Sequence, residues 1–218
     1  MENGKLQWTN KIRKCKVYVL LGIGIFIVLI TSIFIYILMP RGQPVMLLNS
    51  DEIYEILNDG DIICRLGDRF WSQLFKDTSI KDKRYSHLGI IRIVNGLITV
   101  VHAEGTTDIG KDFVKEQAFD DFVKIARAIG IYRTRNINGI QISNTVIEYL
   151  DIPFDWKFNM DDESEIYCTE LLYLILKRIK PEIELKTIYI KELGKEIIPL
   201  EAISDSEYFS EIFFKGKF

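Results

Sequence analysis

The sequence predicts an α+β fold, with a mainly antiparallel sheet packed against helices and a single transmembrane helix before it. Three observations lead to this prediction. An uncharged apolar run covers residues 17–39, two alternating segments flank an Asn-Gly pair at residues 95–96, and a segment with helical spacing covers residues 166–179. Helices before and after a set of hairpin strands are typical of α+β domains.

The N-terminal apolar run is longer than the stretch of about 20 residues that a helix needs to cross a bilayer. Five basic residues and one acidic residue precede it, which predicts a cytoplasmic N-terminus and an extracytoplasmic domain. A cleaved signal peptide is the alternative, but the sequence LMPRGQP offers no small-residue cleavage site. We predict a cytoplasmic basic tail at 1–16, a transmembrane anchor at 17–39, a linker at 40–50 and one domain at 51–218.

The charge of the chain argues against a nucleic-acid partner. Of its 28 basic and 31 acidic residues, five and one lie before residue 17, so 23 basic and 30 acidic residues remain beyond it. Nucleic-acid binding relies on clustered Lys and Arg. Only Cys64 and Cys168 lie in the outer domain, so no disulfide scaffold is indicated, and a bridge between them would disable a cysteine nucleophile.

The first half of the outer domain predicts helices around a hairpin. Helical spacing covers residues 51–58, with Ser50 as a cap, and the Asp59-Gly60 turn leads into a strand at 61–65. A short helix is predicted at 67–75 and a solvated loop at 76–85. Strands at 86–94 and 97–104 flank Asn95-Gly96, the strongest short hairpin signal.

The second half predicts a strand pair or one long bent strand at 122–134 and a helix at 140–150. An extended segment at 154–160 and an acidic turn precede the helix at 166–179, which Pro181 ends. A last strand near 194–199 and a C-terminal tail close the domain.

The hairpin places the only two histidines of the chain on one face of the sheet. With a two-residue turn at 95–96, His87 lies opposite Glu104 and His102 lies opposite Gly89. Side chains two apart on a strand share a face, so His87, His102 and Glu104 do too. A pair of hydrogen-bonded structural histidines fits this pattern, as does a functional site.

Cys168 falls in the first turn of the helix that follows the acidic stretch DDESE. Asp161, Asp162 or Ser164 can cap that helix. Backbone amides at a helix N-terminus stabilise a thiolate, lower its pKa and can bind an oxyanion. The alternative role for Cys168 is that of a small buried apolar residue.

These motifs resemble a known family. HLGIIRIVNGLITVVHA resembles the histidine hairpin of the NlpC/P60 superfamily of papain-like hydrolases. The order of GDII, the hairpin and YCTELLY resembles the circularly permuted branch, the YiiX/YebB-like proteins. The resemblance covers residues 60–199 and implies a permuted papain-like hydrolase domain.

That resemblance implies a membrane-anchored cysteine peptidase or amidase, which cleaves amide bonds such as those of cell-wall peptides. Cys168 would be the nucleophile, His87 the base and His102 the third member, with Glu104 as the alternative third member. No cofactor or metal is expected. The alternatives are a lipid acyl hydrolase or acyltransferase, a zinc site formed by Cys168, His87 and His102, and a non-catalytic binding module.

Overall fold

A computed structural model describes residues 2–38, 53–67, 70–105, 112–191, 193–204 and 206–216 of the 218-residue chain. The chain divides into two compact units, Met1–Pro40 and Arg41–Phe218. The predicted linker at 40–50 lies outside the described residues.

The first unit contains a single helix, α1, at Glu2–Leu38. Its Tyr18–Tyr36 segment is long and apolar enough to cross a membrane by length and composition. The apolar helix is therefore confirmed. The predicted basic tail is continuous with it, because residues 2–16 are helical as well. The orientation across a membrane stays a prediction.

The second unit is built on a six-stranded sheet in the order β4-β3-β2-β1-β5-β8, and every neighbouring pair is antiparallel. The strands are β1 Ile62–Gly67, β2 His87–Val94, β3 Leu97–Glu104, β4 Phe113–Ala118, β5 Ala126–Thr134 and β8 Phe209–Gly216. Strands β6 Ile188–Ile190 and β7 Lys195–Ile197 form a separate ladder. This confirms the mainly antiparallel α+β architecture.

The helices of the second unit are short, apart from the one that carries Cys168. They are α2 Phe70–Asp77, α3 Phe119–Val123, α4 Gly139–Val146, α5 Cys168–Ile179 and α6 Glu201–Ser204, with a 3₁₀ turn at Ile147–Tyr149. On one face of the sheet, α4 and α5 pack on Cys64, Leu88 and Ile90. On the other face, Phe122 of α3 packs with the alternate residues Ile63 and Ile91.

The predicted hairpin is confirmed in both turn and register. Asn95 and Gly96 have positive φ angles of 52° and 79°, as the two-residue turn requires. The register pairs Val94 with Leu97 and Ile90 with Val101. Continued by one residue, it sets Gly89 opposite His102, and continued by three residues it sets His87 opposite Glu104, as the sequence predicts.

Several predicted elements differ from the structure. The helix expected at 51–58 is one helical turn within its described residues 53–58, and the segment at 154–160 is irregular rather than extended. In that segment Asp155 accepts the backbone N–H groups of Lys157 and Asn159, which bends the chain. Hydrogen bonds from an Asp side chain to nearby backbone N–H groups compete with strand pairing. The Asp155 side chain therefore determines the conformation of this segment.

Three strands were not predicted. Strand β4 occupies residues for which no element was predicted, β6 pairs with the predicted β7, and the C-terminal tail contains strand β8, which pairs with β5. The region at 122–134 is the end of α3 followed by the single strand β5. Strands β4 and β8 lie at the two edges of the six-stranded sheet, where each has only one neighbouring strand and the apolar alternation is weak.

Candidate functional site

The candidate site lies at the end of the β2–β3 hairpin opposite its turn. The β2–β3 register is recorded from Val94 and Leu97 to Ile90 and Val101. Strand β1 stays paired with β2 as far as His87, and β4 stays paired with β3 as far as Glu104. Residues 87–89 and 102–104 therefore face each other beyond the recorded β2–β3 ladder.

The two histidine rings contact each other at this end. His87 Nε2 lies 2.9 Å from His102 Nδ1, and the rings pack edge to face with centroids 5.0 Å apart. Both rings also contact the ring of Phe122. Gly89 is required beside them, because a Cβ there would lie 2.4 Å from Val100 Cγ1 and 3.1 Å from His102 Cβ. The absence of a side chain at Gly89 therefore leaves room for His102.

A glutamine holds the far side of the second ring. Gln117 of β4 places its Oε1 3.0 Å from His102 Nε2, so His102 is bonded through both ring nitrogens. Within the described residues His87 Nδ1 has no hydrogen-bond partner, and His87 is partly exposed whereas His102 is fully buried. Of the two rings, His87 is therefore the one that is accessible from solvent.

Glu104 binds two cations rather than the histidines. Its Oε1 accepts from Arg65 Nη2 at 2.8 Å and its Oε2 from Lys115 Nζ at 2.6 Å. The buried Arg65 also donates to the backbone oxygen of Phe122 and lies over that ring at 4.0 Å. Of the two predicted third members, His102 is the one that bonds to His87.

The surroundings keep both imidazoles neutral. Burial, followed by the charge of Arg65, lowers the pKa of His87 well below its ordinary value. The same two causes lower the pKa of His102 to about 3. Burial alone would raise the pKa of Glu104, but the histidines, Arg65 and Lys115 together lower it. The glutamate is thus ionised and the rings are uncharged near neutral pH.

Cys168 begins helix α5, as predicted, but none of the predicted caps, Asp161, Asp162 or Ser164, is the N-cap of that helix. Tyr167 is the N-cap residue, and its backbone N–H donates to Glu170 Oε2 at 3.2 Å. Helix α5 packs on the face of the sheet opposite Phe122 and the histidine rings. The backbone N–H of Leu88, the residue after His87, acts on the Cys168 thiol and lowers its pKa. The thiol therefore lies near the start of β2, and no hydrogen bond joins it to a histidine ring among the described residues.

The pKa of the thiol departs from the sequence-based expectation. Burial raises the pKa of Cys168 to about 11, and the N–H groups of Leu88 and Thr169 and the charge of Arg65 offset it only in part. The helix amides act in the predicted direction, but desolvation outweighs them. Cys168 is therefore a neutral thiol near pH 7. Cys64, the other cysteine of this domain, is fully buried, and burial raises its pKa well above the ordinary value.

The metal-ligating groups at the site differ from those that the sequence suggested. Ligand atoms of His87, His102 and Glu104 lie within 4.8 Å of one another, and Cys168 does not belong to this group. Their types suit Zn²⁺. Both oxygens of Glu104 are already paired with cations, however, so a metal ion would have to displace Arg65 or Lys115 as well as the bond between the two rings.

Three polar residues of the site were not predicted: Arg65, Lys115 and Gln117. Arg65 stands in β1 opposite His87, and Lys115 stands in β4 opposite His102. Val114 is followed by three polar residues in succession, Lys115, Glu116 and Gln117, so no alternation of apolar and polar residues indicated a strand there.

Comparisons with known proteins identify the fold and nothing finer. No family model and no curated protein matches the chain. Among solved structures, it matches the crystal structure of metalloprotein yiiX from Escherichia coli O157:H7 at 16% identity with a TM-score of 0.62. The match covers 73% of this chain and 98% of that chain. The second unit thus has a YiiX-like fold, while the papain-like and NlpC/P60 assignments stay predictions.

Proposed function

We propose that the chain is a membrane-anchored cysteine peptidase or amidase, with Cys168 as the nucleophile and His87 as its base. The observation that carries the proposal is the meeting of two elements at the open end of the β2–β3 hairpin. The backbone N–H of Leu88 lowers the pKa of the Cys168 thiol, so the thiol lies near the start of β2, and the adjacent His87 is bonded through Nε2 to His102. A nucleophile beside a base that a third group orients is the arrangement of thiol hydrolases.

The proposed reaction starts from a neutral pair. The reaction requires the thiol, which packs on the face of the sheet opposite the histidine rings, to come within hydrogen-bond distance of His87 Nδ1, the ring nitrogen that His102 leaves free. As the sulfur attacks the substrate carbonyl, its proton then moves to Nδ1. The tetrahedral intermediate then expels the amine, which takes the proton from His87, and a thioester to Cys168 remains. Water, deprotonated by His87, hydrolyses that thioester and releases the acid and the thiol.

If the Cys168 thiol and the His87 imidazole are both neutral, the reaction of the thiol with a simple alkylating agent should depend on pH. Because burial raises the pKa of Cys168 to about 11, the thiolate fraction increases throughout the range from pH 6 to 10. We expect the rate of alkylation by iodoacetamide to increase about tenfold per pH unit over that range, with no plateau near neutrality. Mass spectrometry of the full chain in detergent measures it, with Cys168→Ala as the blank and Cys64→Ala as the matched control.

A substrate-like probe tests catalysis itself. A peptidyl acyloxymethyl ketone should label the wild-type chain and the Cys64→Ala variant but neither Cys168→Ala nor His87→Ala. The His87→Ala variant should still react with iodoacetamide at pH 10, which shows that its thiol is present and accessible. Equal probe labelling of His87→Ala and wild type would refute the role of the base and favour a non-catalytic binding module.

Two features support an anchored domain outside the cytoplasm, and experiment can define the class of substrate. The apolar segment of α1 and the basic residues before it favour an anchored domain outside the cytoplasm. Peptide and amide bonds are the proposed targets. Release of fatty acid from liposomes without peptide cleavage would instead identify a lipid acyl hydrolase or acyltransferase that uses the same residues.

Metal binding is a second candidate function. It is favoured by the grouping of His87, His102 and Glu104 and by the name of the similar structure, which is called a metalloprotein. If it is correct, calorimetry should detect one Zn²⁺ per chain at pH 7.5, and Glu104→Gln should weaken binding at least tenfold. Absence of binding to the wild-type chain would eliminate this function and leave the hydrolase proposal intact.

A further inference from the structure

Gln117 ends a chain of hydrogen bonds that reaches the proposed base. Its Oε1 lies 3.0 Å from His102 Nε2, and His102 Nδ1 lies 2.9 Å from His87 Nε2. Both distances are those of ordinary hydrogen bonds. The three side chains come from three adjacent strands, β4, β3 and β2, so their order is fixed by the sheet and not by a loop.

The proton positions follow from the chemistry of each group. An amide oxygen accepts and cannot donate, so His102 Nε2 carries a hydrogen. A neutral imidazole has only one N–H, and His102 Nδ1 is therefore an acceptor. The contact between the rings then needs a donor at His87 Nε2. His87, also neutral, is left with an unprotonated Nδ1.

The environment favours neutral rings throughout. Arg65 and Lys115 lie beside them and disfavour a further positive charge, while Glu104 is occupied by these two cations. Phe122 covers the rings with an apolar surface. A second proton on either ring would also remove one acceptor from the hydrogen-bond chain.

We propose that Gln117 is a positioning residue, which fixes the tautomers of His102 and His87 so that the unprotonated nitrogen of His87 is Nδ1. This inference rests on the proposed function, because Nδ1 is the atom that would take the proton of Cys168. The amide acts through both rings and does not touch the thiol. A reversed amide, with its NH₂ toward His102, would invert every proton in the chain and leave Nδ1 of His87 protonated.

The two histidines make the tautomers directly observable. The chain contains no other histidine, so ¹⁵N-histidine labelling of the full chain in detergent gives the signals of only four ring nitrogens. At pH 7.5 we expect both wild-type rings to be protonated at Nε2. Gln117→Leu should leave a mixture of tautomers at His102 and His87, whereas Gln117→Glu, which keeps an acceptor oxygen, should restore the Nε2–H form.

A matched control and an activity measurement complete the test. Gln141→Leu, at an exposed position of α4, should leave the spectrum unchanged. Gln117→Leu should slow His87-dependent labelling by the ketone probe about tenfold or more, since a misplaced tautomer disables a catalytic histidine. Its alkylation by iodoacetamide at pH 10 should not change.

The outcomes separate this inference from the proposed function. A wild-type His87 protonated at Nδ1, or a Gln117→Leu spectrum identical to wild type, overturns the role of Gln117. If the expected tautomers are found but the ketone probe labels no variant, Gln117 still orders the protons and only the hydrolase proposal fails. Should Gln117→Leu not fold, the wild-type and Gln117→Glu spectra still decide the question.

Discussion

Between pH 7 and pH 4, the wild-type chain is expected to lose about 3 kcal/mol more stability than the His102→Gln variant. The folded protein holds the pKa of His102 at about 3 because burial and Arg65 oppose its charge. In the unfolded chain the same ring titrates near 6.5. Denaturant unfolding of the full chain in detergent at several pH values measures the difference.

The direction of this change in stability follows from proton binding to the folded and unfolded states. Below pH 6.5 the unfolded state takes up a proton at His102 that the folded state does not, so acid favours unfolding. The stability is complete above pH 6.5 and is lost as the pH falls toward 3. In the His102→Gln variant this titration is absent, and its stability should depend less steeply on pH. Parallel curves for the two proteins would contradict a buried, neutral His102.

Titration of Glu170 has the opposite effect on the pH dependence of stability, so this residue provides a control. Burial raises the pKa of this carboxyl to about 8, and its Oε1 has no partner within the described residues. The folded state thus keeps a proton that the unfolded state loses above pH 4.5, so Glu170 reduces stability as the pH rises. Glu170→Gln should keep the helix start at Tyr167 and make the acid-induced loss of stability larger than in wild type.

The Glu104→Gln variant is expected to lose about 3 kcal/mol in the free energy of unfolding. Its carboxylate is the charge partner of Arg65, whose side chain is only 5% exposed, and of Lys115. Removing one partner of a buried ion pair leaves the other charge desolvated and uncompensated. Denaturant unfolding at pH 7 gives the value directly.

Glu116→Gln is the matched control for that substitution. Glu116 is an exposed residue of β4 that accepts from Arg92 and Thr99. An ion pair of this kind contributes about 0.5 kcal/mol. If both variants lost the same small amount of stability, Glu104 would not be the counter-ion of a buried arginine, and its assignment as the residue that orients His87 would regain support.

The sequence predicted the local geometry of the site because that geometry depends on short-range rules. A two-residue Asn-Gly turn fixes the register of the hairpin, and the period of a strand then places His87, His102 and Glu104 on one face. Helical spacing after residue 166 likewise placed Cys168 in a first turn. The partner of each polar group was not predictable in this way: Glu104 was considered as an orienter of His87, but it binds Arg65 and Lys115.

The sequence by itself determined the apolar N-terminal helix, the hairpin register and the helical position of Cys168, since each follows from neighbours along the chain. The tertiary structure decided that β4 brings Gln117 to His102, that Arg65 lies beside the rings, and that Cys168 approaches β2 from the face opposite the histidines. It also decided the pKa of the thiol, which burial raises despite the helix amides. Desolvation and long-range strand pairing depend on segments far apart in sequence, and no local pattern encodes them.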